Sequence, residues 1–120
     1  VHSAKVHFVV SLEIEPSKLS EFERIAETMC EVSRQEPGTL AYDWFMDAER
    51  AHCRLLETYV DAAAMVAHLQ GQAVQVYVPR MLECSRITNF EVFGTPGAEG
   101  NAVLAKVGAK FFAPWLAARS

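Results

Sequence analysis

The sequence predicts one α+β domain with its elements in the order β-α-β-β-α-β, followed by an apolar extension. Three observations predict it. The chain has 120 residues, the length of one domain. Runs of alternating apolar residues near both ends and the middle of residues 1–94 read as strands. Between them, two segments carry apolar residues at helical spacing.

The first strand is read from Lys5 to Glu15, with Val6, Phe8 and Val10 on one face and His7, Val9 and Ser11 on the other. Pro16-Ser17 breaks it and opens a helix, since proline is tolerated in a first turn and serine caps well. Leu19, Phe22, Ile25, Ala26, Met29, Cys30 and Val32 then form an apolar stripe that Pro37-Gly38 ends. Thr39–Met46 and His52–Val60 read as a strand pair joined by a hairpin loop at Asp47–Ala51. Asp61 caps an alanine-rich helix over Ala62–Leu69, which Gly71 interrupts. The stretch AVQVYVPRML (73–82) fits a strand by alternation and a helix by its apolar face; its length and the strand-like run after it favour a helix kinked at Pro79. Arg86–Phe93 is the last strand. This order is that of a ferredoxin-like antiparallel sheet with both helices on one face. Residues 1–94 form that unit, and residues 95–120 form a linker through Gly100 and a tail rich in aromatics. The tail is expected to dock through Phe111, Phe112 and Trp115 on its own domain or on a partner subunit.

Composition narrows the function. Hydrophobic residues make up 51% of the chain and charged residues 22%, which excludes disorder. Eleven Lys and Arg against fifteen Asp and Glu give a formal charge of −4, with no basic stripe, so a nucleic-acid partner is not expected. No run reaches the roughly 18 apolar residues of a membrane span, so no membrane partner is expected either. The start, Val1-His2-Ser3-Ala4-Lys5, lacks the apolar run of a signal peptide. Cys30, Cys53 and Cys84 show neither a CxxC pair nor zinc-ligand spacing, and they suit three free thiols in a reducing compartment. A cytoplasmic protein acting on a small molecule is the reading that remains. No GxGxxG, P-loop or HExxH is present, and neither a cofactor nor a metal is expected.

The stretches EPGTLAYDWFMDAER (Glu36–Arg50) and LLETYVDAAAMVAHL (Leu55–Leu69) carry a family resemblance. Glu36, Pro37, Gly38 and Tyr42 precede a short hairpin, and Glu57, Tyr59 and Asp61 lead into a helix with His68 downstream. In this the chain resembles the antibiotic biosynthesis monooxygenase superfamily of dimeric α+β barrels. Within it, the resemblance is to the branch holding quinol-monooxygenase-like proteins and the phospho-autoinducer-2 processing enzyme. It spans about Lys5 to Gly94. It implies a homodimer with a pocket between each sheet and its helices. It also implies either cofactor-free oxygenation of electron-rich phenols, quinols or anthrones, or proton transfer on a small hydroxyketone. The family's second histidine, in a Ser/Thr-Pro-His run, is replaced here by Gly71-Gln72-Ala73-Val74. The haem-degrading branch is excluded, because Val10 stands where that branch has an asparagine and residues 61–82 hold no Trp–His pair.

Three residues are candidates for catalysis. His68 is an acid–base group or a satisfied core histidine. Tyr59 offers a hydroxyl to a substrate oxygen or packs with its polar tip at the barrel edge. Glu57, in the middle of an apolar strand pair, is a general base if desolvated and otherwise a solvent-facing carboxylate. Trp44, Tyr42 and Phe90 are read as lining an aromatic-accepting pocket, with Asn89 as a hydrogen-bonding group beside them. A non-catalytic dimeric ligand-binding or interaction module is the alternative, as is an isomerase using His68. His2, His7 and His52 show no ligand constellation.

Overall fold

A computed structural model describes residues 3–119; His2 lies outside the described residues. The elements are β1 (Val6–Ile14), α1 (Leu19–Arg34), β2 (Thr39–Met46), β3 (His52–Tyr59), α2 (Ala62–Gln70), α3 (Val78–Met81), β4 (Ser85–Phe93), α4 (Gly97–Lys106) and β5 (Lys110–Phe112). A single 3-10 turn, Pro16–Lys18, leads into α1, and a π-turn, Ala73–Tyr77, leads into α3. The sheet order is β2-β3-β1-β4-β5. β1 pairs antiparallel with β3 and β4, and β2 pairs antiparallel with β3. Inside residues 1–94 the strands and helices thus follow the ferredoxin-like order.

Alternation decides which side chains reach the helices. On β1, Val6, Phe8, Val10, Leu12 and Ile14 are buried, and their register partners on β3 include Cys53, Leu55, Glu57 and Tyr59, also buried. β2 adds Tyr42, Trp44 and Met46 at the margin of this core, and β4 adds Phe90 and Val92. From the helices come Phe22 and Met29 of α1 and Met65 of α2. Glu21 lies in the first turn of α1 and Arg34 in its last, which complements the helix dipole.

Two joints place α2. Asp61 caps it, its Oδ1 accepting from the Ala64 N–H at 2.8 Å. At Gly38 an added Cβ would come within 2.4 Å of the Ala64 Cβ, so the turn after α1 can touch α2 because residue 38 has no side chain. The conflict at residues 73–82 resolves as helix. The Val78 N–H bonds to the Ala73 carbonyl, an i→i−5 closure, and Pro79 falls in the first turn of α3, where no helical acceptor is needed for its missing N–H.

The extension differs from its sequence reading in two respects. The expected linker is helical from Gly97, after a turn at Gly94 with φ of 115°, where a Cβ would sit 2.7 Å from the Lys5 carbonyl oxygen. The tail also adds a fifth strand, because Lys110–Phe112 pairs parallel with Glu91–Phe93. Leu104 is buried, and the Phe112 ring stacks on Phe93 at 5.1 Å. Trp115 is 81% exposed, so docking of the isolated chain runs through Leu104 and Phe112 rather than Trp115.

Candidate functional site

Strand alternation puts Glu57 and Tyr59 on the helix-covered face of β3, and the buried face of α2 puts His68 above them. All three are almost fully buried. The Tyr59 hydroxyl donates to Glu57 Oε1. His68 Nε2 lies 3.7 Å from that same oxygen, beyond hydrogen-bonding distance. On the other side of the ring, His68 Nδ1 is 2.7 Å from Glu36 Oε1, which also accepts from Thr39 Oγ1 at 2.7 Å. The result is two hydrogen-bonded groups, Thr39–Glu36–His68 and Tyr59–Glu57, that face each other across the 3.7 Å gap between His68 and Glu57. Glu36 reaches solvent, with 24% of its side chain exposed.

Burial sets the electrostatics. Desolvation pushes the Glu57 carboxyl up to about 8, despite the Tyr59 hydroxyl favouring its ionised form, and the Glu36 charge adds to the rise. Glu57 is therefore largely protonated at neutral pH. Burial likewise drives the Tyr59 phenol far above its ordinary range, with the Glu57 charge and hydrogen bond acting in the same direction. The Tyr42 phenol is raised for the same leading reason. Both tyrosines stay neutral, as donors.

Aromatic rings frame these groups. Trp44 packs on Tyr42 at 5.8 Å, Tyr42 on the His68 ring at 5.3 Å, and His68 on Tyr59 at 5.2 Å. Tyr59 then meets Phe8 at 5.3 Å, and Phe8 meets Phe90 at 5.2 Å. The structure thus brings Tyr42, Trp44, Glu57, Tyr59, His68 and Phe90 into one continuous row. Asn89 is not part of it. It pairs with Ser11 on the opposite face of the sheet. Trp44 Nε1 is buried without a hydrogen-bond partner among the described residues, and its indole borders a shallow groove shared with Cys30 and Arg34 of α1. No three His, Cys, Asp or Glu side chains among the described residues are grouped to hold a metal ion.

Glu36 and Thr39 are the members that sequence reasoning does not place in the site. Pro37-Gly38 reads as a helix stop, yet the same turn brings the Glu36 carboxylate under α2. A carboxylate directly before a Pro-Gly stop is the available signal.

Comparison with known proteins agrees with this architecture. The sequence profile described as Antibiotic biosynthesis monooxygenase matches residues 5–80. No curated protein matches the sequence. Among solved structures, the chain is similar to MupZ from Pseudomonas fluorescens at 22% identity, covering 98% of this chain and 96% of that one, with a TM-score of 0.80. It is similar to a putative antibiotic biosynthesis monooxygenase from Bacteroides thetaiotaomicron at 28% identity, covering 73% and 84%, TM-score 0.64. It is also similar in fold to a mutant of SnoaB, a cofactor-independent oxygenase from Streptomyces nogalater, at 13% identity, covering 80% and 97%, TM-score 0.68. A profile match over more than half the chain, on this sheet order, makes the protein a member of the antibiotic biosynthesis monooxygenase family.

Proposed function

We propose that the protein is a cofactor-independent monooxygenase acting on a small, electron-rich aromatic molecule of the quinol, phenol or anthrone type. The observation that carries this reading is the His68 ring, held among aromatic rings with a carboxyl on each side. An aromatic substrate replaces or extends that stacking. His68 removes a proton from the substrate, and neutral Tyr59 and protonated Glu57 donate to the oxyanion that forms. For an anthrone-type methylene, the carbanion reduces O2 and combines with it as a peroxide. The proton held by His68 returns to the peroxide, the remaining C–H proton is lost, and the O–O bond breaks. The C–H proton joins the departing hydroxide, so the products are a carbonyl and water. Carbon loses four electrons overall, two in forming the peroxide and two in the elimination, and the two atoms of O2 take them up. Because the row is closed in the isolated chain, entry requires α2 to part from the sheet.

A homodimer belongs to the same proposal. Val9, Leu56, Phe45 and Phe93 share the sheet face that carries no helix, and Asn89 and Ser11 lie among them. The free thiols of Cys30, Cys53 and Cys84 suit a reducing, cytoplasmic location. No described helix is long and apolar enough to cross a membrane.

Oxygen uptake with a panel of anthrones and hydroquinones, with metal removed, tests the reaction. The wild type should consume oxygen, and His68→Ala should lower the rate on the order of 10²-fold while remaining folded. Uptake lost with a chelator, or a fully active His68→Ala, overturns the assignment. Absence of uptake on every substrate, with His68→Ala strongly destabilised, supports the non-catalytic module instead.

A further inference from the structure

We infer that Glu36 fixes the tautomer of His68, accepting the proton of Nδ1 so that Nε2 is the lone-pair nitrogen that faces Glu57. The inference deepens the proposed site and rests on that reading only for its kinetic consequence. A neutral imidazole carries one N–H, and the ring nitrogen beside an acceptor-only carboxylate must be the one that bears it. At 2.7 Å from Glu36 Oε1, Nδ1 is that nitrogen. The carboxylate cannot swing away cheaply. Thr39 Oγ1 donates to the same oxygen at 2.7 Å. On the far side, a Cβ at Gly71 would lie 3.2 Å from Glu36 Oε2, so residue 71 leaves the carboxylate room and no more. The rings of Tyr42 and Tyr59 limit rotation of the imidazole plane. Across the ring, Glu57 Oε1 already accepts from Tyr59, and it lies 3.7 Å from Nε2.

Glu36 is therefore a positioning residue. Its charge also stabilises the imidazolium that forms when Nε2 takes a proton, which is what a carboxylate on the remote nitrogen does for a histidine base. The two carboxyls divide the roles by position: Glu36, partly in water, accepts from Nδ1, and the sealed Glu57 faces Nε2.

Long-range proton–nitrogen correlation NMR of the full chain at near-neutral pH tests the inference without a substrate. The wild type should show His68 with a protonated Nδ1 and a bare Nε2. Glu36→Leu should lose that preference, and Glu36→Gln, whose amide oxygen still accepts from Nδ1, should retain it. A wild-type His68 protonated at Nε2, or an unchanged Nδ1–H in Glu36→Leu, overturns the inference. The wild-type spectrum alone decides should the leucine variant not fold. With a turned-over substrate, Glu36→Leu should lower kcat by about 10-fold or more with little change in KM, and Glu36→Gln should recover part of it. The expected tautomer without any oxygen uptake leaves the inference standing and removes the proposed reaction. Oxygen uptake with the wrong tautomer does the reverse.

Discussion

Glu57 and Tyr59 stand two residues apart on β3, and the hydroxyl of one donates to the carboxyl of the other inside the apolar core. Because strand side chains alternate, i and i+2 share a face, and a carboxyl and a phenol at this spacing are neighbours as soon as the strand forms. They satisfy each other with one hydrogen bond, but burial still disfavours the carboxylate, and that has a consequence for stability.

The carboxyl of Glu57 ionises near 4.5 in an ordinary setting and near 8 in the fold. Between these values the native state holds a proton that the unfolded chain has released. Stability therefore falls as pH rises from about 4.5 to about 8 and levels off above it. Glu57→Gln should remove this component. Relative to wild type, the variant should gain stability as pH rises from 4 to 9, by up to about 5 kcal/mol at about 1.4 kcal/mol per unit, as urea midpoints will measure. Tyr59→Phe removes the bond that favours the ionised form, so it should extend the decline to higher pH. Parallel stability profiles for wild type and Glu57→Gln rule out a buried, protonated Glu57.

Much of this site is legible in the sequence, and particular residues show where legibility ends. The period-two pattern of β3 places Glu57 with Tyr59, and the cap at Asp61 fixes the start of α2 and so the height of His68. Asn89 is misplaced because it is the strand neighbour of Phe90, and adjacent strand side chains point to opposite faces, so Phe90 joins Val10 under the helices and Asn89 joins Ser11 on the other side. Glu36 escapes because its role depends on a 32-residue separation from His68, closed by tertiary packing. In sequence the tail stands out by its aromatic bulk. Its position is governed instead by backbone pairing with β4 and by Gly100, where a Cβ would meet the Met65 Cε at 2.5 Å.

The sheet face without helices gives the second prediction. Leu56 is 40% exposed and Phe45 55% exposed there, and a monomer would leave both in water. Light scattering should report a mass of about twice 13.3 kDa at micromolar concentration. Leu56→Glu should shift the population toward monomer with the secondary structure preserved. A 13.3 kDa species in the wild type contradicts the dimer.

The C-terminal extension gives the third. Leu104 is buried in the same core cluster as Met65 of α2, Gln70 donates to Glu99 at 3.2 Å, and the Gly94 N–H donates to the Phe112 carbonyl at 3.0 Å. Burying a leucine stabilises by about 1.5–3 kcal/mol, and the Phe93–Phe112 stack adds about 0.5–1.5 kcal/mol. Ordering the segment costs backbone entropy, which opposes part of this gain. Because α4 packs against α2, the loss should be felt at His68 as well as in global stability. Deleting residues 97–120 should lower Tm by several degrees, expose dye-binding apolar surface and increase hydrogen exchange along α2. Leu104→Ala should reproduce most of the effect, costing about 2–5 kcal/mol. Deleting only residues 113–120 separates two roles for the exposed Trp115. With Trp115 81% exposed in the single chain, that shorter deletion should leave the Tm of a monomeric variant such as Leu56→Glu unchanged. A lower Tm only in the dimer assigns Trp115 to the partner subunit, whereas an unchanged melting curve after the full deletion means that α4 and β5 do not brace the domain.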